Sequence, residues 1–113
     1  MPSSRALSAW LPVVAWAGVI FAFSSIPQLG TDLGTWDTIL RKAAHMVEYA
    51  IFGLLLLRAL GSEAWALGLA VCYAATDEVH QHFVRGRHGS PVDVLIDASG
   101  VLLGLLALRL ARR

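Results

Sequence analysis

Charge is what this chain has least of. Asp, Glu, Lys and Arg make up 15% of its 113 residues while 57% are hydrophobic; a soluble globular protein carries about 25% charged residues. So little polar sequence cannot cover the surface of a water-soluble core, which excludes an ordinary soluble domain. A net charge of +1 gives no electrostatic reason to bind a polyanion, and no nucleic-acid-binding module is visible. The single cysteine, Cys72, excludes an intramolecular disulfide. Midway along an apolar run, it is expected to be a small core residue. Also missing are a glycine-rich phosphate loop, a catalytic Ser/His/Asp spacing and an H-E-x-x-H metal motif.

What is present is apolar sequence in four blocks. They predict helices over about 7–24, 38–60, 64–83 and 91–110, each close to the ~20 residues that a membrane span requires. The expected fold is therefore all-α: a single domain over residues 1–113, built as a bundle of four transmembrane helices. The first block, SAWLPVVAWAGVIFAFSS, is longer than the apolar region of a signal peptide and is followed by three more such blocks, so it reads as a span. Pro12 falls near the expected start of that helix, where a proline breaks few backbone hydrogen bonds. Trp10, Trp16, Trp36 and Trp65 read as interface anchors or packing, Trp36 most clearly as the former.

The sparse polar residues are not scattered. In a four-helix hairpin chain the first helix ends, the second begins, the third ends and the fourth begins on one side. Those ends carry Ser24 and Ser25; Lys42, His45, Glu48 and Tyr49; Asp77, Glu78, His80 and Gln81; Asp93 and Asp97. At ~1.5 Å per residue, Asp97 lies roughly 9 Å below the entrance of the fourth helix, and Asp77 roughly 10 Å below the same surface. A second helix starting near Asp37, a plausible N-cap, brings His45 to a comparable level. Three helices thus deliver ionisable groups to one depth, which predicts a polar pocket at one membrane face.

Spacing sharpens that pocket. Lys42, His45 and Tyr49 share one face of the second helix, flanked by Glu48. Asp93, Asp97, Gly100 and Gly104 form an i, i+4, i+7, i+11 stripe, whose G-x-x-x-G admits a close neighbouring helix. Asp93 also suits helix capping through Ser90-Pro91-Val92-Asp93; Asp97, a turn deeper, has no capping role. Asp77 and Glu78 are the hardest to place, because an ionised carboxylate near mid-membrane costs about 2.5–3.5 kcal/mol and normally faces a cavity or a partner. An ion-pair network closing the bundle, such as Glu78 with Lys42 or Arg87, is the bland explanation. Arg85, His82 and His88 read as loop residues, while Arg87 is expected to turn inward towards Asp93, Asp97 or Glu78. Zinc-type ligands are present, but their linear spacing matches no zinc motif, so no metal or other cofactor is expected.

These residues resemble the VanZ-like family of small bacterial membrane proteins, named for a protein associated with resistance to the glycopeptide teicoplanin. Phe23–Pro27 (FSSIP) is similar to the family's serine-proline element, and Lys42-x-x-His45-x-x-x-Tyr49 to its K-x-x-H-x-x-x-Y element. Asp77-Glu78-x-x-Gln81-x-Phe83, then Gly86-Arg87 and Asp93, resembles its D-E-x-x-Q-x-F…G-R…D signature; Arg85 stands where the family usually has proline. The resemblance implies a multi-pass protein of the bacterial inner membrane with a role at the cell envelope. Basic residues near both termini place those ends in the cytoplasm.

The expected function is binding or moving a polar or lipid-linked ligand. The ligand-binding residues would be Lys42, His45, Glu48, Tyr49, Asp77, Glu78, Gln81, Arg87, Asp93 and Asp97, with Lys42 and Arg87 suited to phosphate or carboxylate. The expected partners are membrane lipids or a lipid-linked envelope precursor, and a second copy if a translocation path is to form. Two alternatives stand beside this reading. One is a membrane enzyme using Glu78 or Asp77 with His45 as acid and base; the other is a structural protein whose polar cluster only fixes helix packing.

Overall fold

A computed structural model describes residues 4–24, 35–83 and 91–112 of the chain. They form four helices: α1 (Ser4–Ser24), α2 (Thr35–Leu60), α3 (Glu63–His82) and α4 (Pro91–Ala111). Three of them contain stretches long and apolar enough to cross a membrane, namely Ser4–Phe23, Ile39–Leu60 and Val92–Ala111. α3 matches them in length but not in apolarity. Its last turns carry Asp77, Glu78 and His80, so the residues that make it interesting also make it less greasy.

α1 begins three residues before the expected start, which leaves Pro12 well inside the helix. There it removes the backbone bond to the Ser8 carbonyl, one turn below. α2 likewise begins at Thr35, so Asp37 lies within its first turn rather than capping it. The link from α2 to α3 is short and well specified. Gly61, at φ +72°, adopts the left-handed conformation and donates its N–H to the Leu57 carbonyl, a common helix stop that glycine adopts without Cβ strain. Ser62 then caps α3, its hydroxyl accepting from Trp65 N–H at 3.3 Å and its carbonyl from Ala66 N–H at 2.9 Å.

The largest helix interface is α2 against α4, and glycine makes it. A Cβ at Gly100 would land on the Met46 carbonyl oxygen, and one at Gly104 would stand 2.9 Å from the Ala50 carbonyl oxygen. α2 contributes Gly53, where a Cβ would meet Val101 at 2.8 Å. Close backbone approach of this kind gives strong dispersion contact without large side chains.

α3 packs by a stripe of small residues, Ala66, Ala70 and Ala74, all buried. The next inward position on that stripe is Asp77, also buried. Cys72 is exposed, contrary to its expected place in the core. Two residues beyond Ala70, it points about 200° away from the alanine stripe.

α1 is the peripheral helix. Only Val13 and Ile20 of its apolar residues are buried, while Leu11 and Val14 are 60% and 65% exposed. Directed polar contacts hold it in place. Tyr73 OH donates to the Ala17 carbonyl at 2.6 Å, and Arg58 donates to Ser8 Oγ at 3.3 Å. Trp16, expected as an anchor or packing residue, donates its indole N–H to the Glu48 carbonyl at 2.8 Å.

The bundle has two polar ends of different character. At one, Arg109 donates to both carboxylate oxygens of Glu63 at 2.9 Å, in an exposed pair. At the other, the polar groups are buried.

Candidate functional site

The buried end is built from α2, α3 and α4, with α1 as a wall. His45 and Glu48 sit one turn apart on α2, where they face α4 because Gly100 lets the two helices approach. Asp97 lies one turn before Gly100 and so enters the same space. Asp77 arrives from α3 at the end of its alanine stripe. All four are buried, Asp77 and Asp97 each to within 4% of complete exclusion.

Their contacts form a small constellation. His45 Nδ1 lies 3.7 Å from Asp97 Oδ1 and 3.8 Å from Glu48 Oε2, both longer than hydrogen bonds. Tyr49, fully buried, donates its hydroxyl to Asp77 Oδ2 at 3.2 Å. The tyrosine ring lies nearly parallel to that of His45, centroids 6.5 Å apart, and Phe23 of α1 meets the imidazole edge-on at 5.8 Å. Tyr49, Phe52 and Tyr73 form an aromatic floor, with centroids 5.1–6.4 Å apart. The site is therefore a polar chamber closed on its inner side by rings.

At its rim, Lys42 Nζ donates to Asp93 Oδ1 at 2.7 Å, with the lysine side chain 43% exposed. Lys42 was expected beside Glu78 and pairs with Asp93 instead, while the pairings expected of Arg87, with Asp93, Asp97 or Glu78, lie outside the described residues. Asp93 and Lys42 meet because α2 and α4 are the tightly packed pair, which puts the first turn of α4 beside the lysine.

Seven of the ten expected ligand-binding residues thus lie together: Lys42, His45, Glu48, Tyr49, Asp77, Asp93 and Asp97. Glu78 is half-buried, next to Asp77 in sequence but turned about 100° from it. Arg87 and the Gln81 side chain lie outside the described residues, as do Arg85, His88 and the side chains of Trp36 and His82. His80 is not part of the chamber's histidine–carboxylate group; its ring stacks on Phe21 of α1 at 4.2 Å. The aromatic floor and the role of Trp16 were not foreseen. Tyr73 and Trp16 carry no distinctive spacing, and only the neighbouring helix gives them a partner.

A VanZ/LLP1 family model matches residues 9–112, nearly the whole chain. The chain belongs to the VanZ/LLP1 family. No curated protein and no solved structure gives a significant match. Membership in the VanZ/LLP1 family and three long apolar helices together fit a membrane protein. The motif residues Lys42, His45, Tyr49, Asp77 and Asp93, scattered over fifty positions of this VanZ/LLP1 chain, share one end of its bundle.

Chemically, the described residues offer three buried carboxylates, one imidazole and one phenol, with the Lys42 cation at the rim. Three buried carboxylates are costly unless something positive or hydrogen-bonding compensates them. Such a chamber suits a ligand that brings positive charge, hydroxyls or exchangeable protons.

Proposed function

We propose that this protein is a multi-pass protein of the bacterial inner membrane that binds a polar or lipid-linked envelope ligand in the chamber between α2, α3 and α4. The carrying observation is the burial of His45, Glu48, Asp77 and Asp97, from three helices, at one end of a bundle whose outer surface is apolar. Lys42 and Asp93 at the rim would take the headgroup first: lysine for phosphate or carboxylate, aspartate for amine or hydroxyl. The chamber would then hold the group that enters deepest. A teicoplanin-resistance-like role follows if the ligand is a wall precursor or a surface lipid. Both termini lie in the cytoplasm on this reading, and a second copy would be needed to complete a path across the bilayer.

One observation favours a second reading. His45 Nδ1 lies between Asp97 and Glu48, within 4 Å of each, an arrangement that suits acid–base chemistry on a lipid-linked precursor.

The test is native mass spectrometry of the purified protein after exposure to extracted bacterial lipids. A retained lipid species, released by His45→Gln, is the expected result. A new lipid species formed on incubation would favour the enzyme. No lipid preference over a bilayer background would contradict both readings.

A further inference from the structure

We infer that His45, Asp77 and Asp97 form a binding site for one divalent transition-metal cation of the zinc or manganese class. These three side chains also belong to the chamber proposed above for a lipid-linked ligand, but metal binding can be measured with the metal alone, so its failure and the failure of lipid binding are distinguishable.

Geometry is the first support. One ligand atom from each residue lies within 4.8 Å of the other two, and all three residues are buried. Two ligand atoms about 2.1 Å from a tetrahedral zinc stand about 3.4 Å apart. His45 Nδ1 and Asp97 Oδ1, at 3.7 Å, are already near that spacing, and an Asp77 carboxylate oxygen stands within 4.8 Å of the ligand atoms of both residues.

Asp77 is 4% exposed, yet its Oδ1 is buried without a hydrogen-bond partner. Its Oδ2 accepts from Tyr49, so the carboxylate is anchored on one side and left with a bare acceptor on the other. A buried acceptor in that state carries a desolvation penalty of about 1–3 kcal/mol, which a metal bond would relieve. The tyrosine hydroxyl then orients the liganding carboxylate, as outer hydrogen-bond partners of metal ligands commonly do.

Donor type agrees. Among the described residues, the carboxylates of Glu48, Asp77 and Asp97 gather around His45. One nitrogen and two oxygens, with Cys72 exposed on the other face of α3, suit zinc or manganese rather than copper(I). Calcium, which takes six to eight oxygens, finds too few here. Glu48, 3.8 Å from His45 Nδ1, flanks the set as a third oxygen donor; where it does not bind, the fourth tetrahedral position is open to water or an anionic oxygen.

The experiment uses the full chain in detergent, stripped with chelator, reloaded with Zn²⁺ and dialysed, with bound metal counted by atomic emission. About one zinc per chain is expected. Asp77→Asn and Asp97→Asn should each weaken binding at least about tenfold, whereas Glu63→Gln, at the opposite end, should bind as the parent does. Zinc should also raise the melting temperature of the parent but not of the two asparagine variants. If those variants fail to fold, zinc X-ray absorption of the parent decides. A shell with one imidazole and oxygen ligands supports the site; two or more imidazoles would place the metal elsewhere. Substoichiometric zinc, or binding that Asp77→Asn and Asp97→Asn leave untouched, overturns the inference.

Discussion

Tyr49 joins the packing of this protein to its chemistry. Its ring belongs to the aromatic floor and its hydroxyl holds Asp77. Tyr49→Phe keeps the ring but removes the one donor to a buried carboxylate oxygen, which should destabilise the fold by about 1–3 kcal/mol. Thermal unfolding in detergent measures it, and Tyr49→Phe combined with Asp77→Asn should cost less than the two changes summed, because both act on one contact. Lys42 behaves differently. Its pair with Asp93 is half-exposed, so Lys42→Met should change stability by less than about 1 kcal/mol while weakening retention of an anionic lipid. Lys42, His45 and Tyr49 were legible as one face of a helix. The partner of Lys42 was not, because i, i+3, i+7 spacing says which way a side chain points but not which helix stands opposite.

At the scale of the element, the G-x-x-x-G of α4 was legible as a close-approach face, and it meets α2 in that way. Gly100→Ala should force α2 and α4 apart and cost about 1–3 kcal/mol or more, displacing Asp97 from His45. Gly68→Ala is the contrasting case, since a Cβ there meets nothing within 4 Å. Alanine in an open helical position should stabilise by up to about 1 kcal/mol. Membrane abundance and melting temperature of the two variants should therefore move in opposite directions. Cys72 shows where linear reading fails. An apolar run in a membrane-type helix has no polar face to reveal its outward side, so burial cannot be read from hydropathy. The stripe Ala66, Ala70, Ala74 and Asp77 supplies the phase instead, but small residues give little periodic signal.

For the whole molecule, the four-helix hairpin order alone brings the chemistry-bearing residues to one end, which is why so much of the chamber could be read before any packing was known. The cytoplasmic placement proposed for both termini has its own test. In a Cys72→Ser background, a cysteine at Ser62 should react with a membrane-impermeant thiol reagent only after the cells are opened, and one at Ser25 before. The central claim is that the buried cluster exists for a ligand rather than for packing, and replacing Asp97 tests it most directly. Asp97→Asn removes a buried ionisable group while keeping its shape, a change that often leaves stability intact or raises it when that group serves function. The decisive measurement is the membrane abundance of Asp97→Asn set beside its lipid retention in native mass spectrometry. The account predicts parent-level abundance with lipid retention lost. Abundance falling in step with retention would contradict it and leave the cluster as a packing device.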